Sequence, residues 1–255
     1  FITVYPLLYT VFASFSDAKQ LLKLEGPMWW PLEPFTLRGY ELTFQNAKLV
    51  PSIFNTLFYV IVGTLGGLVI TGMAAFVLSR KNFMLKNIIM KLIMFTMFFS
   101  GGIIPLFFVV RQIGIYDTRW AFLLPWIMSA YNMIIMRTFF LGIPESLEES
   151  ATLDGATDLQ IFFKIYLPLC KNIVYSVMIL VFIDYWNMVE QPLILLGSDH
   201  EDMYPLSIFL SKINGGEVGI AFAVAVIYMI PTLLIFLYGE QYLVEGIANS
   251  GSVKG

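Results

Sequence analysis

Apolar runs about as long as a bilayer is thick recur along this chain. A membrane-spanning helix needs about 20 predominantly apolar residues. Runs of this kind lie at residues 52–78, 88–110, 120–140, 165–183 and 218–238. Residues 1–15 form a shorter apolar run, which we expect to be a truncated first helix. The pattern predicts an all-α fold, a polytopic membrane bundle of six transmembrane helices.

Composition agrees with a membrane protein and excludes several other classes. Hydrophobic residues make up 58% of the 255 residues and charged residues 13%, whereas soluble domains carry about 25% charged residues. The net charge is −3, without a basic tract, so nucleic acid is not an expected partner. One cysteine, Cys170, and one histidine, His200, exclude a disulfide framework and a Cys/His metal cluster. We therefore expect no metal site and no catalytic residues.

The apolar pattern divides the chain into three regions. Residues 1–50 are predicted to hold the first transmembrane helix and an external loop, residues 51–245 the transmembrane domain, and residues 246–255 a cytoplasmic tail. The loop contains Trp29 and Trp30, which suit the membrane–water interface. An ordinary surface loop accounts for the two tryptophans equally well.

The third predicted span is interrupted by Ser100, Gly101 and Gly102 and then by Pro105. Such interruptions are tolerated within a bilayer only against protein or a water-filled cavity. Gly101, Gly102 and Pro105 are therefore predicted to form a hinge or a wall of the pathway. A simple kink is an equally good interpretation.

Polar residues inside or beside the spans are candidates for a substrate pathway. Asp184 ends the fifth span and is followed by Tyr185, Trp186 and Asn187. A carboxylate at the bilayer centre costs about 2.5–3.5 kcal/mol, so at that depth it should face the bundle interior or water. Aromatic faces beside hydrogen-bonding groups suit a sugar. Asn132, inside the fourth span, is a weaker candidate.

Both candidates have a structural alternative. Asp184 could already lie at the outer interface, where Tyr185 and Trp186 would serve as anchors. Asn132 could hydrogen-bond between helices without touching a substrate. The sequence alone does not separate these interpretations.

A polar segment, residues 144–158, separates the fourth and fifth spans. Pro144 suits the start of a helix, and three carboxylates near the positive end of its dipole stabilise it. These carboxylates are Glu145, Glu148 and Glu149. Leu147 and Ala151 share one face of this helix, opposite a face that carries carboxylates. The pattern predicts a short amphipathic helix with nothing nearby to bury it.

The end of this helix and the start of the next are also marked. Gly155 can adopt the left-handed conformation that ends a helix. Thr157, followed by Gln160, has the spacing of a capping box. We therefore predict a helix, a tight glycine turn and a second helix that runs into the bilayer.

These residues resemble a motif of a known family. The run Glu149-Ser150-Ala151, then Gly155, then Ile165-x-Leu167-Pro168 is similar to the EAA…G…I-LP cytoplasmic loop of ABC importer permeases. Residues 143–149 and 153–156 are similar to its carbohydrate-uptake branch, and residues 98–105 and 185–187 resemble permeases for complex oligosaccharides. Asn55 and Thr56 are similar to the first helix of the permease domain. Ser150 departs from the usual alanine, but it is also small.

The resemblance implies a coupling helix that sits in a groove of an ATPase subunit. The residues that would carry the contact are Glu149, Ser150, Ala151, Asp154, Gly155 and Ala156. The chain has no G-x-x-x-x-G-K-[ST] loop. It is therefore expected to be a transport subunit that binds no cofactor itself, while partner subunits hold ATP and Mg.

The resemblance also implies the remaining partners and the location. We expect a second homologous permease, two ATP-binding subunits, an external solute-binding protein, membrane lipid and a carbohydrate substrate. The chain would be a multi-pass protein of the bacterial cytoplasmic (inner) membrane with both termini in the cytoplasm. The basic turn at residues 80–86 agrees with this orientation, and Arg137 is expected to reach the cytoplasmic surface. Because residues 17–50 also contain basic residues, the orientation depends mainly on the resemblance.

Two alternative functions remain open. The substrate of the importer could be a polyol or a glycerol-phosphate type solute. A secondary transporter driven by an ion gradient belongs to a different class and would need a proton or sodium relay of charged residues, which the spans lack.

Overall fold

The computed structural model describes residues 2–213 and 218–252, with side chains except at residues 198 and 243–252. Regular structure in this part of the chain is helical throughout, so the all-α prediction is confirmed. In chain order the α-helices are α1 (Tyr5–Ser14), α2 (Ala18–Leu21), α3 (Arg38–Gln45), α4 (Leu49–Ser79), α5 (Lys86–Phe98), α6 (Ile103–Gln112), α7 (Trp120–Leu123), α8 (Ala130–Phe140), α9 (Glu145–Leu153), α10 (Asp158–Ile161), α11 (Leu167–Leu169), α12 (Lys171–Trp186), α13 (Glu190–Leu195), α14 (Leu206–Ser211) and α15 (Val218–Ser252). A π-helix (Phe162–Tyr166) joins α10 to α11, and a 3₁₀ helix occupies Ser198–Met203.

Two helices in the described residues are long and apolar enough to cross a membrane. They are α4, with 31 residues, and the 25-residue part Val218–Tyr242 of α15. A third candidate joins Asp158–Leu169 to Lys171–Trp186, but the two parts are bent by 90°. The six predicted spans are therefore not six continuous helices, because the runs at 88–110, 120–140 and 165–183 are interrupted.

The break between α5 and α6 lies at the predicted interruption. Gly102 has a φ of +77°, a left-handed conformation that residues with a Cβ adopt only at a cost. Its N–H donates to the Ser100 side chain over 3.2 Å. Glycine at this position therefore allows the chain to leave one helix and enter the next.

The break between α7 and α8 was not predicted. Pro125 lies in the gap and cannot donate a backbone hydrogen bond inside a helix. Helix α8 starts afresh with Ser129 as its N-cap, whose side chain accepts from the N–H of Asn132 over 3.3 Å. The prediction of one continuous helix over 120–140 was therefore wrong. It was based on the apolar run and did not take account of Pro125, which interrupts the helix.

The fifth predicted span, residues 165–183, bends at Cys170 between α11 and α12. Pro168 lies two residues before the bend and offers no N–H to the helical ladder. The preceding π-helix, Phe162–Tyr166, also departs from regular α geometry. The straight part of this span therefore begins at Lys171 and not at residue 165.

The described chain forms two compact units. One unit comprises Phe1–Phe58 and Asn187–Ile235, and the other comprises Tyr59–Trp186 and Phe236–Gly255. Helix α4 begins in the first unit and continues in the second.

In the second unit, glycines of α4 allow close packing against neighbouring residues. A Cβ atom at Gly63 would overlap the ring of Tyr185, and one at Gly67 would lie 3.0 Å from the carbonyl oxygen of Ile127. Small residues in membrane helices typically serve this purpose.

In the first unit, Asn55 and Thr56 of α4 hold the segment that precedes α14. The Asn55 amide donates to the carbonyl of Asp202 over 2.6 Å. The hydroxyl of Thr56 accepts from the N–H of Leu206 over 2.7 Å. The two residues singled out by the family resemblance therefore have a structural role in this unit.

Near α1, Met28 donates its N–H to the Tyr5 hydroxyl over 2.8 Å. The ring centroids of Trp29 and Tyr5 are 5.0 Å apart. The two predicted interfacial tryptophans, Trp29 and Trp30, remain largely exposed.

Candidate functional site

The candidate site is the segment around α9 (Glu145–Leu153), which we call the coupling helix after the role that the family resemblance predicts for it. It begins directly after Pro144 and ends as predicted at a left-handed glycine, Gly155, with a φ of +82°. The N–H of Ala156 donates to the carbonyl of Ala151 over 2.9 Å, and that of Gly155 donates to Thr152 over 3.0 Å. These two bonds form a Schellman motif, which stops the helix cleanly.

The next helix starts with the predicted capping box. The Thr157 hydroxyl accepts from the N–H of Gln160 over 3.3 Å, and the Gln160 side chain accepts from the N–H of Thr157 over 2.8 Å. Both bonds of a capping box are therefore present at the start of α10.

The coupling helix is joined to the end of α4 by ion pairs. Arg80, the first residue after α4, pairs with both Glu148 and Asp158, and Lys81 pairs with Glu145. The side chains of Arg80 and Glu148 are only 24% and 19% exposed. The prediction that nothing nearby buries this segment was therefore wrong for Glu148, because Arg80, directly after α4, lies beside it.

Tyr166 of the π-helix completes the contact. Its hydroxyl donates to the second carboxylate oxygen of Glu148 over 2.8 Å. Its ring packs edge-on against Phe76 of α4 at 4.7 Å and against Phe140 of α8 at 5.4 Å. The Arg80 guanidinium also lies over the Phe76 ring, 5.2 Å from its centroid. We call this set the charged junction: Arg80, Glu148, Asp158 and Tyr166.

The basic groups at this site keep their charge at physiological pH. Partial burial lowers the pKa of the Arg80 guanidinium, but hydrogen bonds and charges from Asp158 and Glu148 outweigh it, so the pKa is raised overall. The pKa of Lys81 is raised mainly by its hydrogen bond to Glu145. Because both groups titrate far above neutrality, the two cations are permanent features of the site.

Arg137 of α8 also contacts the end of α4. Its Nε donates to the carbonyl of Leu78 over 2.9 Å, which satisfies one of the free carbonyls of the last turn. The side chain is half-buried. The structure therefore gives Arg137 a capping role at the end of α4.

Most of the residues predicted to contact an ATPase subunit, in the coupling helix and the turn after it, are exposed to solvent. Those that are exposed are Glu149, Ser150, Asp154 and Gly155, whereas Ala151 and Ala156 are half-buried. Leu153 is 88% exposed. The coupling helix thus directs Glu148 towards Arg80 and Glu145 towards Lys81, and it leaves the apolar side chain next to the Gly155 turn uncovered.

The residues predicted for the substrate pathway are not brought to one surface. Asp184 of α12 is exposed, but Tyr185 and Trp186 are buried. The Tyr185 hydroxyl donates to the carbonyl of Leu123 over 2.9 Å, and Trp186 stacks on Phe182 at 5.6 Å. The two aromatic side chains therefore pack inside the second unit, whereas the side chain of Asp184, the preceding residue, does not.

The two asparagines predicted for the pathway lie in different units. Asn187 accepts a hydrogen bond from the Tyr228 hydroxyl over 2.9 Å in the first unit. Asn132 of α8 is 2% exposed in the second unit, and its side-chain oxygen has no hydrogen-bond partner among the described residues. A buried amide oxygen of this kind is free to accept a bond from a group that enters the bundle.

The predicted hinge residues Gly101, Gly102 and Pro105 are exposed at the break between α5 and α6. A Cβ atom at Gly102 would meet nothing within 4 Å, so conformation and not space requires glycine there. As for metals, the described residues hold no group of three or more potential ligands.

The sequence analysis missed Arg80, Glu148 and Tyr166 as residues of the site. The basic turn and the carboxylates were both visible, but Arg80 and Glu148 are 68 positions apart. Nothing in the local pattern says which base meets which acid.

The chain is similar to known proteins over most of its length. Residues 63–244 match the family described as "Binding-protein-dependent transport system inner membrane component". The polygalacturonan/rhamnogalacturonan transport system permease protein YtcP of Bacillus subtilis (strain 168) is 33% identical over 274 residues, covering 100% of this chain and 93% of that protein.

Two further proteins are similar along nearly their whole length. The arabinooligosaccharides transport system permease protein AraQ of Halalkalibacterium halodurans is 29% identical over 261 residues, covering 100% of this chain and 92% of that protein. A crystal structure of a bacterial ABC transporter involved in the import of the acidic polysaccharide alginate contains a chain with a TM-score of 0.86 and 28% identity. The match covers 94% of this chain and 91% of that chain.

Proposed function

This chain belongs to the family of binding-protein-dependent transport system inner membrane components, and from that membership we propose its task. It is the permease subunit of an ATP-driven importer that moves an oligosaccharide into the cytoplasm. The similar proteins are named for polygalacturonan and rhamnogalacturonan, for arabinooligosaccharides and for alginate. These substrates share one chemistry, since all are chains of sugar units, and this supports the carbohydrate class.

The proposed topology has six membrane crossings, of which several are broken or bent. Both termini and the coupling helix lie in the cytoplasm of a bacterial cell. The ion pairs support this orientation, because Arg80 and Lys81 lie beside the coupling helix and basic residues are concentrated on the cytoplasmic side. Breaks within the bilayer are tolerated where the chain is buried in protein or lines a water-filled cavity.

One observation carries the proposal: the coupling helix has an anchored face and an open face. The half-buried pair of Glu148 with Arg80 fixes it to the end of α4, and the more exposed pair of Glu145 with Lys81 adds little. Glu149, Ser150 and Leu153 remain uncovered. An isolated helix of nine residues is marginal in water, so this one is held by its anchors and caps. A helix held in this way is suited to seat in a groove of a second protein.

The proposed partners follow from the same geometry and from the family. Two ATP-binding subunits hold ATP and Mg and receive the coupling helices. A second homologous permease completes the pathway, and an external solute-binding protein delivers the sugar. Glu149, Ser150, Ala151, Asp154, Gly155 and Ala156 are the proposed contact residues.

The transport cycle is an exchange between two states. Closure of the ATP-binding subunits moves the coupling helices together, so the pathway opens outward and accepts sugar. Hydrolysis returns it to the inward-open state. Nucleotide and sugar act by binding the two states with different affinities. The break at Gly101, Gly102 and Pro105 is the proposed flexible point.

Asp184 is the proposed sugar contact of α12, because its side chain is exposed while the side chains next to it are packed inside. Tyr185 and Trp186 hold that part of α12 in place. Asn187 and the free oxygen of Asn132 are further candidates. A carboxylate can accept several hydroxyl hydrogen bonds from a sugar.

Co-purification tests the proposed assembly. The chain is expressed together with the proposed partner permease and ATP-binding subunits, and it is pulled down through a tag on its C-terminus. We expect both ATP-binding subunits and the partner permease to co-purify. Scrambling residues 145–158 should remove the ATP-binding subunits, because the open face and both caps are lost.

Retention of the partner permease by the scrambled chain is the control for insertion and folding. The proposal is wrong if no ATP-binding subunit accompanies the intact chain, or if the scrambled chain retains them fully.

A further inference from the structure

Glu148 and Glu149 are adjacent carboxylates with different surroundings. The two oxygens of Glu148 both point inward, one towards Arg80 and the other towards the Tyr166 hydroxyl. Glu149 is exposed. One carboxylate is therefore available to a partner, while its neighbour is used within the chain.

Arg80 connects three segments that are distant in sequence. It directly follows α4, it pairs with Glu148 of the coupling helix, and it pairs with Asp158 at the start of α10. Tyr166 of the π-helix also contacts Glu148, through its hydroxyl, and its ring packs edge-on against Phe76 and Phe140.

The covalent connections of the coupling helix to its neighbouring helices are less direct than its ion pair with Arg80. On its C-terminal side the chain passes through the Gly155 turn, the π-helix and the 90° bend at Cys170 before it reaches α12. On its N-terminal side, residues 141–144 separate it from α8. Helix α4, in contrast, is continuous from Leu49 to Ser79 and ends one residue before Arg80.

We propose that Arg80 and Glu148 are positioning residues that make the coupling helix and α4 move as one rigid body. This inference depends on the proposed function. It adds that movement of the coupling helix reaches the transmembrane helices through α4. The pair is mostly shielded from solvent, so removing Arg80 leaves the half-buried Glu148 carboxylate without a cation. Removing Glu148 leaves Arg80 with only the exposed carboxylate of Asp158. Movement of the coupling helix is thereby passed to α4 without first passing through the bend at Cys170.

A distance measurement tests the rigid body without knowledge of the sugar. Cys170 is the only cysteine of the chain, so Cys170→Ala provides a cysteine-free background. Spin labels are placed at Ser146→Cys in the coupling helix and Ile70→Cys in α4, both exposed positions. The distance is recorded in the assembled importer without nucleotide and with ATP plus vanadate.

We expect one narrow distance distribution that is the same in both states. With Arg80→Gln or Glu148→Gln, the distribution should broaden or shift when ATP and vanadate are added. Lys81→Gln is the matched control, because it removes the neighbouring pair with Glu145, which is more exposed. It should leave the distribution narrow.

Transport provides the second readout in the same preparations. In proteoliposomes with radiolabelled trigalacturonate, loss of the junction should lower the sugar transported per ATP hydrolysed by about tenfold, which corresponds to about 1.4 kcal/mol. Tyr166→Phe keeps the ring contacts with Phe76 and Phe140 but removes the hydrogen bond to Glu148, and it should lower this ratio less. If Arg80→Gln does not assemble, Tyr166→Phe supplies the distance measurement.

Several outcomes separate the two hypotheses. If the wild-type chain assembles with no ATP-binding subunit, the proposed function fails. If it assembles but the labelled distance changes between the two states, the rigid body is overturned while the proposed function stands. An unchanged distribution in Arg80→Gln, Glu148→Gln and Tyr166→Phe together also overturns it.

Discussion

Gly155 determines where the coupling helix ends and in which direction the chain continues. A Cβ atom at this position would meet nothing within 4 Å, so space does not require glycine. The requirement comes from the backbone, since φ is +82° and the left-handed conformation costs other residues about 1–2 kcal/mol. Asparagine tolerates that conformation better than most residues.

Replacement of Gly155 by valine should therefore separate ATP hydrolysis from transport. We expect Gly155→Val to lower sugar uptake at least about tenfold, because a strain of 1–2 kcal/mol or more misplaces the turn. The chain should still insert into the membrane. Uptake by cells that express the complete importer measures the effect, together with ATPase activity of the purified complex.

Gly155→Asn is the matched control and should retain most of the uptake. Equal uptake by the valine and asparagine variants would contradict the role assigned to this turn.

Asp184 is the second position where one side chain can be tested. Asp184→Asn keeps the size of the side chain but removes the charge. We expect uptake to fall about tenfold, since hydrogen bonds to charged groups contribute about 1.5–3 kcal/mol. Uptake assays at several sugar concentrations measure the loss, and co-purification of the ATP-binding subunits should be unchanged.

Glu190→Gln, at an exposed carboxylate in the first turn of α13, is the comparison variant. A similar loss in both variants would indicate a general charge effect and would argue against a sugar contact at Asp184.

At the scale of elements, the breaks between helices show where the apolar runs do not form continuous membrane spans. The breaks at Gly102, near Pro125 and at Cys170 convert three apolar runs into pairs of shorter helices. Each lies beside a glycine or a proline, the two residues that disturb the helical backbone most. In a membrane protein such points mark places where the backbone meets protein or water.

Gly102 and Gly101 form a natural pair for testing one break. Only Gly102 has a positive φ, and a Cβ at Gly101 would make an ordinary contact with Pro105 at 3.9 Å. Gly102→Ala should destabilise the protein by about 1 kcal/mol, whereas Gly101→Ala should have little effect. Thermal melting of the detergent-purified complex, followed by size-exclusion chromatography, measures both variants. Equal melting temperatures would show that the break does not need the left-handed glycine.

At the scale of the whole molecule, the source of energy distinguishes an ATP-driven importer from a secondary transporter. The chain has no phosphate-binding loop, and in the proposed importer ATP is bound by other subunits. The residues at the charged junction form paired contacts at the end of α4. They have the arrangement of a mechanical connection and not of an ion relay along a span.

Sugar uptake by the assembled importer in proteoliposomes should therefore depend on enclosed ATP. Vanadate should abolish it, and a protonophore or a sodium ionophore should leave it unchanged, because the proposed cycle uses no ion gradient. The measurement is the initial rate of radiolabelled sugar accumulation under each condition. Uptake that stops with the ionophores and continues without ATP would favour the secondary transporter.

Local features of the fold and of the site could be predicted from the sequence. The all-α class follows from the apolar runs, and the Gly155 turn and the Thr157 capping box follow from side chains within a few residues of each other. Such features depend on backbone conformation and on short-range hydrogen bonds. They would be much the same in any surroundings.

Only the tertiary structure decided which distant residues meet. The pairing of Arg80 with Glu148 and the burial of Tyr185 and Trp186 beside an exposed Asp184 both depend on how helices pack. A contact between residues 68 positions apart is selected by the shape and charge of whole surfaces. The sequence supplies the bases and the acids, and packing determines their partners.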